Sequence, residues 1–292
     1  MKKIFAIALA LALALSLAAC GGAAASSASS APASSAAPAA TSASGVANAG
    51  NMVTLKVGAS PAPHAEILEA AKPLLEKEGI ELEIVEFDDY VLPNTALSEG
   101  DLDANYFQHQ PYLDTFNAAN GTDIVSAGAI HYEPLGVYPG KSKDLAAIAD
   151  GAQIGIPNDG SNEARALYLL EAQGLIKVDH TAAYAATPLD VTDNPHNINF
   201  VEMDADKLPS AVQDLDFAVI NGNYAISAGI NGTVLVTEDA NSDSAKTYAN
   251  IVAVRAGDED RPEIKALVEV LKSDEIKSFI EQKYQGSVVP VD

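Results

Sequence analysis

Apolar and polar positions follow two alternating periods along most of the chain. Residues 54–58 alternate as a strand does, and residues 64–79 place apolar side chains at helical spacing up to a terminal glycine. Residues 81–87 then predict a second strand, so that the three segments form a βαβ unit with parallel strands. Pro73 lies inside the predicted helix and predicts a kink there or a division into two shorter helices.

The same periods continue to the end of the chain. They predict helices over residues 92–99, 110–119, 161–173, 262–272 and 275–284, and one more after Asn221. They predict strands over residues 123–126, 135–138, 152–157, 198–201, 216–220 and 249–255. Ligands of open parallel sheets bind beyond the carboxyl ends of the strands. Two α/β units in series therefore predict two lobes around a cleft.

The strands over 135–138 and 249–255 are the predicted crossings between the lobes. The first lobe would comprise residues 53–141 and 249–292, and the second lobe residues 142–248.

The amino terminus has the pattern of an exported lipoprotein. Two lysines precede an apolar run over residues 4–17, which is too short to span a bilayer, and small residues lead to Cys20, the single cysteine of the chain. We expect residues 1–19 to be a signal peptide and Cys20 to carry the lipid. Residues 20–52, rich in Ala, Ser and Pro, are then a disordered tether on the extracytoplasmic face of the cell membrane.

Charge narrows the possible partners. Forty acidic against seventeen basic residues give a formal net charge of −23. Such a charge repels nucleic acid and disfavours adsorption to anionic headgroups. We therefore expect no nucleic-acid partner, and membrane attachment through the lipid alone.

Arg165 is the first candidate for ligand binding. It lies in the first turns of the helix predicted over 161–173, where a helix amino terminus already favours anions. Its guanidinium forms a planar fork that matches a carboxylate, and Asn162 lies one turn earlier on the same, non-core face. A solvated arginine on a polar face is the alternative, although the chain has only three arginines.

An aromatic segment is the second candidate. Residues 105–113 contain four rings within seven positions, including Phe107 and His109, and Tyr90 follows the strand predicted over 81–87. A loop of this kind can form the wall of an apolar pocket. A hydrophobic seam between helices remains the alternative.

Two shorter segments complete the candidates. In an extended segment, His131 and Glu133 share one face, where Glu133 can meet a ligand ammonium or form a strand-end ion pair. Asn221 follows the strand over 216–220, and it either caps the next helix or binds a ligand with both its donor and its acceptor.

These segments resemble the methionine-binding lipoproteins of ABC importers, the NlpA family. The matching stretches are residues 87–94, residues 103–113, residues 156–159 with Asn162 and Arg165, and residues 218–221. The resemblance extends from about residue 54 to the carboxyl terminus. It implies a two-lobe α/β fold of the type II periplasmic-binding-protein kind, with mixed sheets, helices on both faces and the ligand cleft between the lobes. It also implies delivery of a free amino acid, most specifically methionine, to a membrane permease with a cytoplasmic ATPase.

The resemblance assigns roles to individual positions. Arg165 would hold the ligand carboxylate, and Asn162 and Asn221 would bind the backbone of the amino acid. The side-chain pocket would be lined by Tyr90, Phe107 and His109. The chain departs from some relatives at His131 and Glu133, where those relatives carry aromatic residues, so that another amino acid or a methionyl dipeptide is an alternative ligand.

Two other classes of protein are alternatives. A metal-binding lipoprotein for zinc or manganese would use His64, His109, His131 and Glu133, but their spacing matches no ligand signature. An enzyme would need a nucleophile elbow, a metalloprotease helix or a phosphate loop, and the sequence contains none of these. We therefore predict a binding protein with no enzymatic activity, cofactor or metal.

Overall fold

The structure is a computed structural model that describes residues 52–240 and 246–291. The predicted signal peptide, Cys20 and the predicted tether up to residue 51 lie outside the described residues. Within the described ranges, every helix is too short or too polar to span a bilayer.

The elements follow the order expected for a chain of α/β units. The strands are β1 (Val53–Ala59), β2 (Ile80–Glu86), β3 (Ala104–His109), β4 (Ile124–Tyr132), β5 (Gly136–Pro139), β6 (Gln153–Pro157), β7 (Lys177–Val178), β8 (Val191–Asp193), β9 (Asn199–Met203), β10 (Phe217–Ile220), β11 (Val236–Thr237), β12 (Ala249–Arg255) and β13 (Val289–Pro290). The α-helices are α1 (Glu66–Lys77), α2 (Leu92–Glu99), α3 (Gln110–Asn120), α4 (Gly160–Ala172), α5 (Leu208–Ala211), α6 (Gly222–Ser227), α7 (Pro262–Leu271) and α8 (Asp274–Tyr284).

Two mixed sheets organise these elements. The first has the strand order β13-β4-β12-β3-β1-β2, and the second has the order β11-β5-β10-β6-β9. The predicted βαβ unit is confirmed, since β1 pairs with β2 in parallel register. Both sheets lie within one contact unit, residues 48–292.

The chain changes sheets earlier than the predicted lobe boundary at residue 141. β5 pairs antiparallel with β10 and β11, so that it belongs to the second sheet. The first crossing therefore falls at residues 133–135, directly after β4, and the chain returns to the first sheet between β11 and β12.

Two local expectations were wrong, and one of the two alternatives at Pro73 is excluded. The segment interpreted as an aromatic loop contains β3, a strand whose six residues are all buried between β1 and β12. A strand buried on both faces shows no polar alternation. β4 extends well beyond residue 126, the predicted strand end, through a segment of small residues. Pro73 lies within α1 and does not divide it in two.

Each sheet has its own apolar core. α1 buries Ile67, Leu68, Ala71 and Leu75 on one face against the first sheet, as the helical spacing predicts. In the second core, α4 contributes apolar side chains that pack against β6 and β10. Each fully buried side chain of this size contributes about 1.5–3 kcal/mol. A further apolar cluster covers the opposite face of each sheet, and together these clusters hold the strand ends that build the site.

Gly140 provides a test of packing in the second sheet. A Cβ atom at this position would overlap the carbonyl oxygens of Val212 and Leu215, which are backbone atoms and cannot rotate away. We expect Gly140→Ala to lower the free energy of unfolding by about 1–3 kcal/mol. Gly232→Ala is the matched control, because no atom lies within 4 Å of its Cβ position. Equal urea midpoints for the two variants would contradict this packing.

Candidate functional site

A small cavity lies where elements of the two sheets meet. Its volume is about 20 Å³, which is room for roughly one water molecule. The residues that line it are Tyr90, Phe107, Gln108, His109, Tyr112, Glu133, Asn162, Arg165, Asn221, Gly222, Asn223 and Asn250. A larger ligand therefore requires these walls to separate and then close again.

Most of the predicted binding residues lie around this cavity. The predicted residues that line it are Tyr90, Phe107, His109, Glu133, Asn162, Arg165 and Asn221. His131 does not line the cavity, and it lies fully buried behind Glu133. The structure thus brings together residues that are far apart in sequence, while their contacts with a ligand stay a prediction.

Five lining residues were missed as binding candidates: Gln108, Tyr112, Gly222, Asn223 and Asn250. The sequence did contain a signal for Asn250, because this polar residue directly precedes the apolar run over residues 251–254 of β12. Gln108 lies in β3, where the misinterpretation as a loop obscured its direction.

Helix α4 places Asn162 and Arg165 at the carboxyl end of β6. The helix begins at Gly160 because the carboxylate of Asp159 accepts a hydrogen bond from the backbone N–H of Asn162, at 3.0 Å. Both side chains are buried on α4, although the sequence placed Arg165 on a non-core face.

The guanidinium of Arg165 is paired with a carboxylate that the sequence did not reveal. Nε donates to Glu238 Oε1 at 2.8 Å, and Nη2 donates to Glu238 Oε2 at 2.5 Å and to the carbonyl oxygen of Glu133 at 2.9 Å. The guanidinium also lies close to the hydroxyl of Tyr132, with which it makes a further side-chain hydrogen bond. The protein thus holds the Nε–Nη2 edge of the guanidinium at the wall of the cavity.

The Arg165–Glu238 ion pair is buried and electrostatically matched. Burial raises the pKa of Glu238, but the attraction of Arg165 outweighs it, so that the pKa of this carboxyl lies below its usual value. Burial also works against the charge of Arg165, and Glu238 overcomes this by raising the pKa of the guanidinium. Both groups are therefore ionised at neutral pH.

Glu238 also connects Arg165 to the crossing between the sheets. Its Oε2 accepts from the hydroxyl of Tyr132 at 2.6 Å and from the backbone N–H of Leu135 at 2.9 Å. The guanidinium carbon of Arg165 lies 4.3 Å from the ring centroid of Tyr248, a cation–π distance. The pair thus joins α4 to both sides of the crossing.

Asn162, Asn221 and His109 form a hydrogen-bonded group. Asn162 Oδ1 accepts from Asn221 Nδ2 at 2.9 Å and from His109 Nε2 at 3.1 Å. The imidazole is neutral, since burial lowers the pKa of His109 to about 3. Asn221 occupies the cap position of α6, but its side chain makes no capping bond. The structure therefore disfavours the capping interpretation of Asn221.

Two buried polar atoms at the cavity have no hydrogen-bond partner among residues 52–240 and 246–291. They are the acceptor Asn221 Oδ1 and the donor Asn223 Nδ2, while Asn223 Oδ1 accepts from the hydroxyl of Tyr90 at 2.6 Å. Buried polar atoms are nearly always hydrogen-bonded, so that these two indicate where ligand groups would bind. One acceptor and one donor suit the ammonium and the carboxylate of an amino acid.

Glu133 lines the cavity with a carboxylate that histidines hold from behind. Its Oε1 lies 2.7 Å from His131 Nε2 and 3.3 Å from His64 Nε2. The backbone N–H of Asn223 donates to the same carboxylate. Burial raises the pKa of Glu133 above its usual value. The predicted shared face of His131 and Glu133 is therefore present, as a hydrogen-bonded pair.

The four residues considered for a metal do not all come together. His64, His131 and Glu133 place one potential ligand atom each within 4.8 Å of the others, whereas His109 is bonded to Asn162 instead. The three nearby atoms already have hydrogen-bond partners within the protein. His64, His131 and Glu133 therefore form a hydrogen-bonded polar network within the protein.

The fold and the site define a class of protein. Two α/β sheets joined by two crossings enclose, between them, a cavity with a buried guanidinium and unpartnered amide groups. This is the architecture of a two-lobe substrate-binding protein. The sequence model of the NlpA lipoprotein family matches residues 55–292, and the chain belongs to that family.

Named relatives agree with this membership. Over 240 residues the chain is 43% identical to the methionine-binding lipoprotein MetQ of Bacillus subtilis, covering 80% of this chain and 87% of that protein. The structure of a nutrient binding protein from Burkholderia cenocepacia bound to methionine is 44% identical, with a TM-score of 0.77, covering 82% of this chain and 100% of that one.

A third relative is named for transport. It is an ABC transporter periplasmic substrate-binding protein from Coxiella burnetii, 40% identical with a TM-score of 0.76, covering 81% of this chain and 100% of that one.

Replacing Glu238 tests the buried ion pair. Glu238→Gln leaves the guanidinium of Arg165 buried without its counter-charge, and we expect the free energy of unfolding to fall by about 3 kcal/mol. Glu83→Gln is the matched control, because Glu83 pairs with Lys56 at 3.8 Å on an exposed surface and should cost less than about 1 kcal/mol. Urea denaturation at neutral pH measures the free energy of unfolding of both variants. If both lose a similar amount, the buried ion pair contributes no more to stability than the exposed one.

Proposed function

We propose that this chain is the extracytoplasmic substrate-binding lipoprotein of an ABC importer and that it binds a free amino acid, most specifically methionine. The ligand lies between the two sheets and is delivered to a membrane permease driven by an ATPase. The protein is held at the cell membrane by a lipid on Cys20 and carries out no chemical reaction on its ligand.

The observation that carries the proposal is the buried position of the Arg165 guanidinium at the wall of the cavity. The side chain lines the cavity, and Glu238 neutralises its charge through a two-point ion pair at Nε and Nη2. A ligand carboxylate at Nη1 makes a charge-assisted bond without breaking the internal ion pair. Asn221 Oδ1 and the Glu133 carboxylate then face the ligand ammonium.

The apolar part of the site suits a thioether side chain. The rings of Tyr90, Phe107 and Tyr112 pack around one another, with centroids 5.8 Å apart for Tyr90 and Phe107 and 5.6 Å apart for Tyr90 and Tyr112. Sulfur makes favourable contacts with aromatic rings, and the flexible methionine side chain adapts to such a wall. The relatives named for methionine support this choice of ligand.

Typical magnitudes make the scheme feasible. A hydrogen bond to a charged group contributes about 1.5–3 kcal/mol, and burial of a methionine side chain contributes about the same. A bound carboxylate, a bound ammonium and a filled apolar pocket, less the ordering costs, reach the roughly −8 kcal/mol of micromolar affinity. Burial of the methionine side chain alone does not reach micromolar affinity.

A ligand screen tests the proposal directly. Thermal shift of the full chain against the twenty amino acids, methionyl dipeptides, zinc and manganese should give the largest stabilisation with methionine. A ligand at about a hundred times its dissociation constant stabilises by roughly 2.7 kcal/mol. Stabilisation by a metal alone would replace this proposal with the metal-binding alternative, and a larger shift with another amino acid or a dipeptide would correct the ligand.

Arg165→Lys tests the role of the guanidinium. Lysine keeps the positive charge near Glu238 but loses the planar fork, so that we expect methionine to bind at least about tenfold more weakly by calorimetry. Arg261→Lys is the matched control, because Arg261 forms ion pairs with Asp103 and Glu263 away from the cavity. Unchanged affinity in Arg165→Lys would remove Arg165 from the site.

A further inference from the structure

Behind Glu133 lies a buried network of ionisable groups. His131 Nε2 bonds the Glu133 carboxylate, and its Nδ1 bonds the hydroxyl of Tyr106. His64 Nε2 lies 3.3 Å from Glu133 Oε1 and 2.9 Å from Asn250 Oδ1. His64, His131 and Tyr106 are completely shielded from solvent, and Glu133 is 5% exposed.

This network contains one carboxyl group and no permanent counter-charge of its own. Arg165 is the permanent cation whose charge acts on Glu133. It is already paired with Glu238 through two hydrogen bonds. An ionised Glu133 beside two neutral imidazoles would therefore be an uncompensated buried charge, which is costly. One additional proton within the network removes this charge.

We propose that the network of Glu133, His64 and His131 holds one proton in the ligand-free protein and releases it when a ligand ammonium takes its place against Glu133. This inference rests on the proposed function, because it requires an amine-bearing ligand in the cavity that Glu133 lines. His64 and His131 are then positioning residues, which hold the carboxylate toward the cavity without touching the ligand.

The surroundings place the proton on the carboxyl group. Burial raises the pKa of Glu133, and it lowers the pKa of His64 to about 4 and that of His131 to about 3. The charged or titratable groups that face Glu133 from the surrounding elements are His64, Tyr90, Tyr106, His131, Tyr138, Arg165 and Tyr284. The tyrosines stay neutral near pH 7 because burial raises their pKa values.

The sign of the coupling follows from this exchange. The free protein binds the proton and the complex does not, so that protons compete with the ligand. Affinity therefore falls as the pH is lowered through the pKa of Glu133 in the free protein, and it reaches a plateau above that pKa. A ligand that has the carboxylate and the thioether but no ammonium should bind without releasing a proton.

Calorimetry of the full chain measures the exchange. L-methionine is titrated into the protein at several pH values between about pH 5 and about pH 8. Each titration is repeated in two buffers with different ionisation enthalpies, because the difference in binding heat between the buffers gives the number of protons released. We expect release of up to one proton, largest at the acid end, and affinity that rises with pH. 4-(Methylthio)butanoate, the analogue without the amine, should release none.

Variants assign the proton to the network. Glu133→Gln should abolish the release and weaken L-methionine binding at least about tenfold at about pH 7.5, with little effect on the analogue. Glu163→Gln is the matched control, because Glu163 is a second buried carboxyl with a raised pKa that does not line the cavity. It should leave both the proton count and the affinity unchanged.

The outcomes separate this inference from the proposed function. L-methionine binding to the unaltered chain with no proton release at any pH, or with the same release for the analogue, would overturn the inference and leave the proposed function standing. The same holds if release persists in a folded Glu133→Gln variant. If neither L-methionine nor any other amino acid binds the unaltered chain, the proposed function itself fails.

Discussion

The buried ion pair between Arg165 and Glu238 is the interaction on which the site depends. A guanidinium on α4 would be costly to bury alone, and Glu238 makes its burial possible by neutralising its charge. Because Glu238 also accepts from Tyr132 and Leu135, the same carboxylate fixes the end of β4 and the last residue of the crossing. One interaction therefore sets both the orientation of the guanidinium and the position of the two sheets around it.

Neutral amides build most of the remaining polar surface of the cavity. Asn162, Asn221, Asn223 and Asn250 hold one another and their neighbours at fixed distances without adding charge. In a site with low solvent access, an additional charge would need its own partner, whereas an amide needs only a hydrogen bond. The amides can therefore point unpartnered atoms into the cavity at moderate cost, ready for the two charged ends of a ligand.

Local patterns predicted much of the fold and part of the site. The apolar face of α1 was visible at helical spacing, and so was the placement of Asn162 and Arg165 beyond β6, because both follow from short-range periodicity. β3 was missed because burial on both faces removes the alternation that identifies a strand. Glu238 was missed for another reason: it lies 73 residues from Arg165, and no local signal marks a pair formed only by folding.

The first crossing connects binding to motion between the sheets. Glu133 lines the cavity, and it is the first residue of the segment 133–135 through which the chain leaves the first sheet. Its carbonyl oxygen accepts a hydrogen bond from Arg165, which belongs to the second sheet's helix α4. The cavity, with a volume of about 20 Å³, is too small to hold an amino acid. The residues that line it must therefore move apart before a ligand can enter. In the proposed function, a ligand that bonds Glu133 on one side and Arg165 on the other would connect the same two elements. Under the proposed function, the groups that recognise the ligand therefore belong to both sheets, and closure of the cavity would accompany binding.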